Sequence, residues 1–486
     1  MDKKKNKNLT KNNIKIALIS FQKDAERVPP IGLIYIATYV YKKLNIPKEN
    51  IRVIDINFHD IKEEIIKFKP DIIGLSSMTA NYSQALELAK KLKSLNKPII
   101  LGGVHISTLP NSFQDCFDIG VVGEGEETFK ELIELYIKKR GFNKKDLKKI
   151  KSIVFLDSGK LIQTNKRVSL ELDSLPFLDY EFADKNYFKK EPIFSALREG
   201  IKGFVITSRG CPYRCLFCST SHFWEKVRMH SPEYVAEQVK ILVDKYHIDH
   251  LIIMDDLFAI SKERVKKIKE EMIKNRTLDK IKGIEIQMRA NLMDEELGEL
   301  FKSMKVKMAS FGFESGSEKI LNYLKCGSVK IEDSKRAMRI CRKYGINVYG
   351  SFMLGIPGES LEDMKKTIDL MDYGIKQKAI YLWSFVLTPL PSTPFWEIAK
   401  KRGKVSDNMD WSKFSYHNID DPLLLDENID KKEFKRIFLE GRKRLSKLKV
   451  RFILRFIFYN PFFAARIVAK EPIYYAKRFY KQIFKQ

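Results

Sequence analysis

The sequence predicts an α/β protein with an N-terminal doubly wound, Rossmann-like parallel sheet, a partial TIM-like barrel of six strand–helix units, and a C-terminal helical region. Short runs rich in Ile, Val and Leu alternate with helical patterns early in the chain, and the alternation resumes near residue 204. Near-continuous apolar strands joined by helices are typical of parallel sheets that are covered on both faces. We therefore assign a first domain to residues 14–140, a linker with a hairpin to 141–200, a barrel to 201–400 and a basic, aromatic-rich helical region to 401–486.

The composition indicates a folded chain. Its 486 residues are 44% hydrophobic and carry 89 Lys and Arg against 62 Asp and Glu, a formal net charge of +27. No apolar run reaches the length of about eighteen residues that a membrane-spanning helix needs. The Lys- and Asn-rich N-terminus lacks the apolar stretch of a secretory signal, and six cysteines are too few for a disulfide scaffold. We therefore predict a reduced, cytoplasmic protein.

The first domain offers polar loops at strand ends. Strands are expected over 14–20, 51–55, 71–76, 98–101 and 118–122, and an open sheet of this kind binds ligands at the carboxyl ends of its strands. The loops there supply hydroxyl groups, glycines that allow close backbone approach, and backbone N–H groups at a helix start that suit a phosphate. The residues concerned are Ser76, Ser77, Thr79, Gly102, Gly103, His105, Gly123, Glu124 and Gly125.

Residues 152–156 and 160–164 flank Asp157-Ser158-Gly159, which predicts a hairpin. Barrel strands are then expected over 204–207, 250–254, 283–288, 308–313, 347–353 and 381–386, separated by helical patterns. Six such units are too few for a closed barrel of eight, so we expect an open, partial one.

Three cysteines lie directly after the first barrel strand. Cys211, Cys215 and Cys218 fall within eight residues, so their thiolates can close around one metal centre. With His222 as a fourth ligand, the spacing would suit tetrahedral zinc. The alternative is a cubane iron–sulfur cluster with three protein ligands, which leaves one iron open for a substrate to chelate.

With its place on the first barrel loop and the aromatic Phe217 before the last cysteine, this motif resembles that of the radical S-adenosylmethionine superfamily. The resemblance implies a 4Fe-4S cluster whose open iron binds the amino and carboxylate groups of S-adenosylmethionine. It also implies that an electron cleaves the sulfonium to give a 5′-deoxyadenosyl radical.

Further motifs along residues 200–400 carry the same resemblance, among them Met254-Asp255-Asp256-Leu257-Phe258, Phe311-Gly312-Phe313-Glu314-Ser315-Gly316 and Gly355-Ile356-Pro357-Gly358-Glu359. By resemblance, Arg289 grips the carboxylate of S-adenosylmethionine, Glu314 its amino group or ribose, and Asp256 lies near its methionine end. Asp256 could cap a helix, in place of this role or in addition to it, and Arg289 could instead form a surface salt bridge. The full set implied to bind S-adenosylmethionine is Phe217, Asp256, Arg289, Glu314, Ser351 and Gly355.

One position departs from the pattern. In relatives a basic residue often precedes the glycine of the segment that reads Leu324-Lys325-Cys326-Gly327 here. We expect Cys326 to be an ordinary reduced thiol, with a hydrogen-atom donor as the alternative.

Over residues 14–135 the first domain resembles the cobalamin-binding domain that is fused to such barrels. The resemblance implies that the loop residues listed above, at 76–79, 102–105 and 123–125, contact cobalamin. The Asp-x-His-x-x-Gly pattern that places a histidine on cobalt in many such domains does not occur. We predict that His105 anchors its loop by a hydrogen bond and does not bind cobalt.

Together the two resemblances imply a cobalamin-dependent radical methyltransferase acting on an unactivated carbon of a lipid or isoprenoid, a peptide or protein, or a small molecule. The first alternative is radical chemistry without methyl transfer, such as ring formation or oxidative rearrangement. The second is a non-catalytic iron–sulfur and corrinoid sensor or carrier. An enzyme of this kind implies a reductase, ferredoxin or flavodoxin as electron donor.

The basic charge is concentrated near the C-terminus, where residues 431–486 hold 17 Lys and Arg and 3 Asp and Glu. Arg444, Lys447, Arg451 and Arg455 recur at helical spacing among apolar residues, a pattern typical of helices at an anionic membrane interface. We predict peripheral contact with the cytoplasmic face of a membrane, with a helical cap on the barrel as the alternative. Nucleic acid is disfavoured because such proteins usually place aromatics in a polar basic groove.

Overall fold

The computed structural model describes residues 9–21, 28–193, 198–411, 414–415 and 418–459, together with 461 and 465. The chain divides into two compact units, and the predicted α/β class is confirmed. The first unit comprises residues 1–187, 390–392 and 396–415, and the second comprises 188–389, 393–395 and 416–486.

The first unit contains a seven-stranded sheet. Its strands are β1 Ile16–Ser20, β2 Ile51–Asp55, β3 Ile72–Ser76, β4 Ile99–Gly102, β5 Ile119–Val121, β6 Ile153–Asp157 and β7 Lys160–Gln163. Their order in the sheet is β2-β1-β3-β4-β5-β6-β7. Strands β1 to β5 are parallel, and β6 and β7 add an antiparallel hairpin at one edge. The helices are α1 Ile31–Leu44, α2 Ile61–Phe68, α3 Tyr82–Leu92, α4 Val104–Thr108, α5 Glu126–Lys139 and α6 Lys144–Leu147.

The hairpin forms where the sequence predicts it, but it is not part of a linker. Ile153, Val154 and Phe155 of β6 are completely buried, and Val154 pairs with Gly120 of β5. Because this apolar strand needs a covered face, it extends the first sheet, and the first unit continues beyond the predicted boundary at residue 140.

The strands of the second unit are β8 Glu191–Ile193, β9 Arg198–Gly200, β10 Lys202–Val205, β11 Ser208–Arg209, β12 Arg228–Met229, β13 His250–Ile253, β14 Gly283–Met288, β15 Val306–Glu314, β16 Asn347–Leu354 and β17 Tyr381–Val386. Six of them form a parallel sheet in the order β10-β13-β14-β15-β16-β17, as expected for a partial barrel. Its helices are α7 Thr220–Phe223, α8 Pro232–Tyr246, α9 Lys262–Lys274, α10 Thr277–Lys280, α11 Glu295–Ser303, α12 Glu318–Lys325, α13 Ile331–Tyr344 and α14 Leu361–Lys376.

After the barrel strands come α15 Pro394–Lys401 and α16 Lys431–Tyr459. The predicted C-terminal region thus divides, because residues 396–415 belong to the first unit and α16 to the second. Phe434, Ile437, Phe438, Leu445 and Leu448 of α16 are buried. A Cβ on Gly441 would lie 3.4 Å from the side chain of Ile368 in α14, so the two helices pack closely.

The last described turns of α16 differ from its beginning. Leu454, Ile457 and Phe458 are 60%, 41% and 79% exposed, and their spacing places them on one helix face. The predicted basic and aromatic residues beyond 465 lie outside the described residues. Over the part of the chain that the structure describes, no helix is long and apolar enough to cross a membrane.

Candidate functional site

Residues 211–218, the cysteine loop, follow β10 and the short strand β11 in the second unit. Cys215 is buried, whereas Cys211 and Cys218 are half-buried. Burial raises the pKa of Cys211 and of Cys218, and the neighbouring Cys215 raises both further. The three thiols are therefore close enough for their charges to interact.

The spacing of the three cysteines allows two kinds of metal centre, a single zinc ion and a cubane iron–sulfur cluster. Among the described residues, no three His, Cys, Asp or Glu side chains lie close enough together to hold a single metal ion. In a cubane cluster each thiolate binds a different iron, so the three thiols need not converge on one point. A loop with three interacting thiols fits such a cluster.

Arg289, just after β14, contacts the cysteine loop directly. Its Nη1 donates to Cys215 Sγ at 3.1 Å, its guanidinium lies 3.8 Å from the ring centroid of Tyr213, and its Nη2 donates to Ser328. Arg289 is 7% exposed, so the alternative of a surface salt bridge is wrong. Its buried Nε has no hydrogen-bond acceptor among the described residues, which leaves a donor for a ligand.

Glu314 ends β15 and is linked to the same loop through Lys325. Its Oε1 accepts a hydrogen bond from Lys325 Nζ at 2.9 Å, and each side chain is 6% exposed. The Lys325 ammonium also lies 5.1 Å from the ring centroid of Phe217 in the cysteine loop. Lys325 was not singled out from the sequence, although a basic residue that ends a helix just before Gly327 was a usable signal.

Asp256, which follows β13, accepts hydrogen bonds from Gly210 N at 3.1 Å and from Thr220 Oγ1 at 3.2 Å. Burial raises its pKa. Asp256 does not cap the next long helix, α9, because Ser261 does so. Asp256 therefore holds the glycine that opens the cysteine loop.

The neighbouring Asp255 was not predicted to have a role of its own. Its buried carboxylate accepts hydrogen bonds from the backbone N–H and the hydroxyl of both Thr207 and Ser208. These two residues connect β10 to the cysteine loop, so Asp255 fixes the start of the loop.

Ser351 and Gly355 lie on and just beyond β16. Gly355 has a φ of +80°, and its N–H donates at 2.7 Å to the buried carboxylate of Glu359. Burial raises the pKa of Glu359 to about 8.

Cys326 follows α12 directly and has a backbone in the left-handed region. Its side chain is exposed, and its Sγ donates to the carbonyl oxygen of Arg214 at 3.2 Å.

In the first unit, His105 is enclosed. Its Nδ1 lies 3.2 Å from Thr79 Oγ1 and its Nε2 lies 3.0 Å from Ser112 Oγ. Its ring stacks on Tyr82 at 3.8 Å between centroids and meets Trp411 edge-on at 4.6 Å. Burial lowers the pKa of His105 to about 3, so the ring is neutral, and its two nitrogens hold it to Thr79 and Ser112.

The other loop residues surround the carboxyl ends of β3, β4 and β5. Gly103 has a φ of +97°, and a Cβ there would lie 2.5 Å from Ser77 O, so only glycine fits. Ser77 is buried and bonds to Met78 O and Asn81 Oδ1. At these strand ends the structure also places Ser76, Gly102, Gly123, Glu124 and Gly125, with Gly123 N–H donating to Ser107 Oγ at 2.9 Å.

Two family models match the chain. Residues 205–371 match the radical SAM superfamily, and residues 19–133 match the B12 binding domain. The two matched stretches coincide with the barrel and with most of the first sheet.

The chain is similar to curated proteins over most of its length. It is 31% identical to an uncharacterized methyltransferase of Pyrococcus horikoshii, covering 80% of this chain and 82% of the relative. It is 25% identical to the anaerobic magnesium-protoporphyrin IX monomethyl ester cyclase of Cereibacter sphaeroides, covering 74% of this chain and 58% of the relative. Its fold is similar to that of TsrM, a radical S-adenosylmethionine methyltransferase of Kitasatospora setae, with a TM-score of 0.65 at 18% identity, over 87% of this chain and 84% of that one.

Proposed function

Because this chain belongs to the radical S-adenosylmethionine methyltransferases that carry a B12-binding domain, we propose that it methylates an unactivated carbon atom. The observation that carries the proposal is the place of Arg289. This buried cation lies against the cysteine loop, with one N–H on Cys215 Sγ and another N–H without an acceptor among the described residues. The Nε–H of this guanidinium can donate a charge-assisted hydrogen bond to a carboxylate on a ligand of the cluster.

The proposed cofactor contacts follow from this arrangement. Cys211, Cys215 and Cys218 would hold a 4Fe-4S cluster, with Arg289 directed at the carboxylate and Glu314 at the amino group of S-adenosylmethionine. Phe217, Asp256, Ser351 and Gly355 complete the proposed set. When bound, the cluster with S-adenosylmethionine supplies a carbon-centred radical, and cobalamin supplies the methyl group.

In the first unit we assign cobalamin to the carboxyl ends of β3, β4 and β5, where an open parallel sheet binds its ligands. Gly102, Gly103 and the stretch 123–125 would allow a ligand to approach the backbone closely. The enclosed ring of His105 supports a corrinoid without a histidine ligand from this loop.

Anaerobic reconstitution tests the proposal. The purified protein should bind about four iron atoms per chain and, with reductant and cobalamin, convert S-adenosylmethionine to 5′-deoxyadenosine. It should also form S-adenosylhomocysteine, because that is what S-adenosylmethionine becomes when it gives up its methyl group. The variant C215A should lose iron and both products, whereas the matched control C341A, which removes a buried thiol outside the loop, should retain them.

Ring formation or oxidative rearrangement remains the second candidate, because a cyclase is among the relatives. Such an enzyme would form 5′-deoxyadenosine without S-adenosylhomocysteine in the same assay. A sensor or carrier would form neither product despite a full cluster, which would overturn the enzyme proposal.

We also propose that the substrate is presented at a membrane, as a lipid or isoprenoid would be, with a peptide or a water-soluble small molecule as the competing substrate. The support is the face of α16 that exposes Leu454, Ile457 and Phe458 beside a basic sequence. Such a face can enter an anionic interface, where each Lys or Arg near the surface contributes about 1 kcal/mol.

Flotation with liposomes of phosphatidylserine and phosphatidylcholine tests this contact. The wild type should float with the vesicles, and the variant L454E/I457E/F458E should remain below. Because these side chains are exposed, the variant should unfold at the same temperature as the wild type. Equal flotation of both proteins, or of neither, would remove the membrane proposal.

A further inference from the structure

The ion pair between Glu314 and Lys325 is unusual because both charges are almost completely removed from water. Each side chain is 6% exposed, and Nζ lies 2.9 Å from Oε1. Replacing such a pair by apolar residues is often neutral or stabilising, whereas removing one partner costs about 3–5 kcal/mol. A buried pair therefore contributes little net stability to the fold.

The backbone around the pair is adapted to it. Glu314 has a φ of +63°, in the left-handed region that residues other than glycine seldom adopt. A Cβ on Gly312 would lie 2.1 Å from Glu314 Oε1 and 3.4 Å from Lys325 Nζ, so a side chain there would displace the carboxylate from this position. Strained conformations of this kind are concentrated at binding and catalytic sites.

Lys325 also belongs to a segment that contacts the cysteine loop repeatedly. Leu216 N donates to Leu324 O at 3.0 Å, and the Lys325 ammonium faces the Phe217 ring. Cys326 Sγ donates to the carbonyl oxygen of Arg214 in the loop. Ser328 Oγ accepts a hydrogen bond from Nη2 of Arg289. The end of α12 thus connects β15, which carries Glu314, to the loop that carries the cysteines.

We propose that Lys325 is a positioning residue that holds the Glu314 carboxylate by one oxygen and so directs it at the amino group of S-adenosylmethionine, an inference that rests on the proposed function. Lys325 Nζ donates to Glu314 Oε1, and in our proposal Oε2 is the oxygen that receives the ligand. Without the ammonium, the Glu314 carboxylate would lose the hydrogen bond that fixes its orientation.

A double-mutant cycle tests the inference on reconstituted protein. The variants are K325M, E314Q and E314Q/K325M, and the matched control is K319M, which removes an exposed lysine from the same helix. The dissociation constant for S-adenosylmethionine is measured by equilibrium dialysis. The change in the electron paramagnetic resonance spectrum of the reduced cluster on adding S-adenosylmethionine provides a second readout.

We expect K325M and E314Q each to weaken binding about tenfold or more and to abolish the spectral change, while K319M retains both. The double variant should bind no more weakly than the weaker single variant, because residues that act together show non-additive losses. It also removes both buried charges, so it should fold with a full complement of iron even if K325M does not.

Normal binding and a normal spectral change in K325M, or losses that add in the double variant, would overturn the role of Lys325 and leave the proposed function standing. If the wild type with a full cluster bound no S-adenosylmethionine, the proposed function would fail and this inference with it.

Discussion

Glu359 and Glu314 are two buried carboxyl groups with different hydrogen-bond partners. Glu314 has an ammonium on one oxygen, whereas Glu359 has only the backbone N–H groups of Gly355 and Ile356 on Oε2. Glu359 Oε1 has no hydrogen-bond partner among the described residues, and burial raises the pKa of Glu359 from its ordinary 4.5 to about 8. Glu359 therefore holds its turn as a neutral acid at neutral pH.

This state predicts a pH-dependent stability. Between about pH 4.5 and pH 8 the folded protein keeps a proton on Glu359 that the unfolded chain releases, so the free energy of unfolding falls as the pH rises through this window. The variant E359Q mimics the neutral acid and lacks this decline. Urea unfolding should show E359Q level with the wild type at pH 5 and more stable at pH 9, by at least the ~1.4 kcal/mol that one pKa unit represents. The raised pKa of Glu359 would be contradicted if the free energy of unfolding changed with pH in the same way in E359Q and the wild type. It would also be contradicted if the exposed control E362Q differed from the wild type as E359Q does.

At the scale of elements, α16 serves two purposes along its length. Its first turns bury a continuous apolar stripe against the barrel, and its last described turns expose Leu454, Ile457 and Phe458. The two interpretations of the C-terminal sequence, a structural cap and an interfacial helix, therefore apply to different halves of one helix. The cap is an observed contact, and the interface remains a proposal.

Replacing a phenylalanine by alanine should change the free energy of unfolding much more in the first half of α16 than in its last described turns. F438A removes a completely buried ring and should cost about 3–5 kcal/mol of unfolding free energy. F458A removes a ring that is 79% exposed and should change stability by about 0.5 kcal/mol or less. Urea titrations of the two variants provide the comparison, and equal losses would show that the helix does not divide in this way.

The strands of the six-stranded barrel sheet could be predicted because they lie in local apolar runs, and β17 is observed where it was expected, at residues 381–386. The short strands β8, β9, β11 and β12 were not predicted, because none of them is an apolar run. The cysteine loop could be predicted because its ligands are neighbours in sequence. The environment of His105 could not, since Trp411, which covers its ring, follows the whole barrel in the chain. Likewise, no sequence rule links Lys325 to Glu314, because their contact depends on where α12 ends relative to β15.

At the scale of the whole molecule, the net charge of +27 bears on partners and not on chemistry. A strongly basic surface attracts acidic proteins over long range, and salt screens this attraction. We propose that the electron donor is acidic, as a flavodoxin or ferredoxin would be.

The rate of cluster reduction by such a donor should therefore fall at least about tenfold when the salt concentration rises from 0.05 M to 0.5 M. Reduction by dithionite, a small reductant, is the control for direct effects of salt on the cluster. Stopped-flow absorbance at the cluster band measures both rates. A donor rate that rises or stays constant with salt would contradict electrostatic steering.

The return of residues 396–415 to the first unit also has a testable effect. Trp411 is 2% exposed and contacts His105, Tyr82 and Trp396 within that unit. W411A should destabilise the first unit by about 3–5 kcal/mol. Hydrogen exchange measured by mass spectrometry should accelerate in peptides from β3 and β4 and stay unchanged in peptides from β14 to β16. Equal acceleration in both sets would show that Trp411 does not act on the first unit alone.

The same return constrains how the protein is made. A chain emerging from the ribosome completes the sheet of the first unit early, but the segment that covers His105 follows only after all six barrel strands. During translation the newly made B12-binding domain therefore lacks the contact of Trp411 with Tyr82 and His105 until residue 411 of 486 has emerged. A nascent chain stalled before that point should expose an apolar surface to chaperones, so the first domain to be synthesised is not the first to be finished.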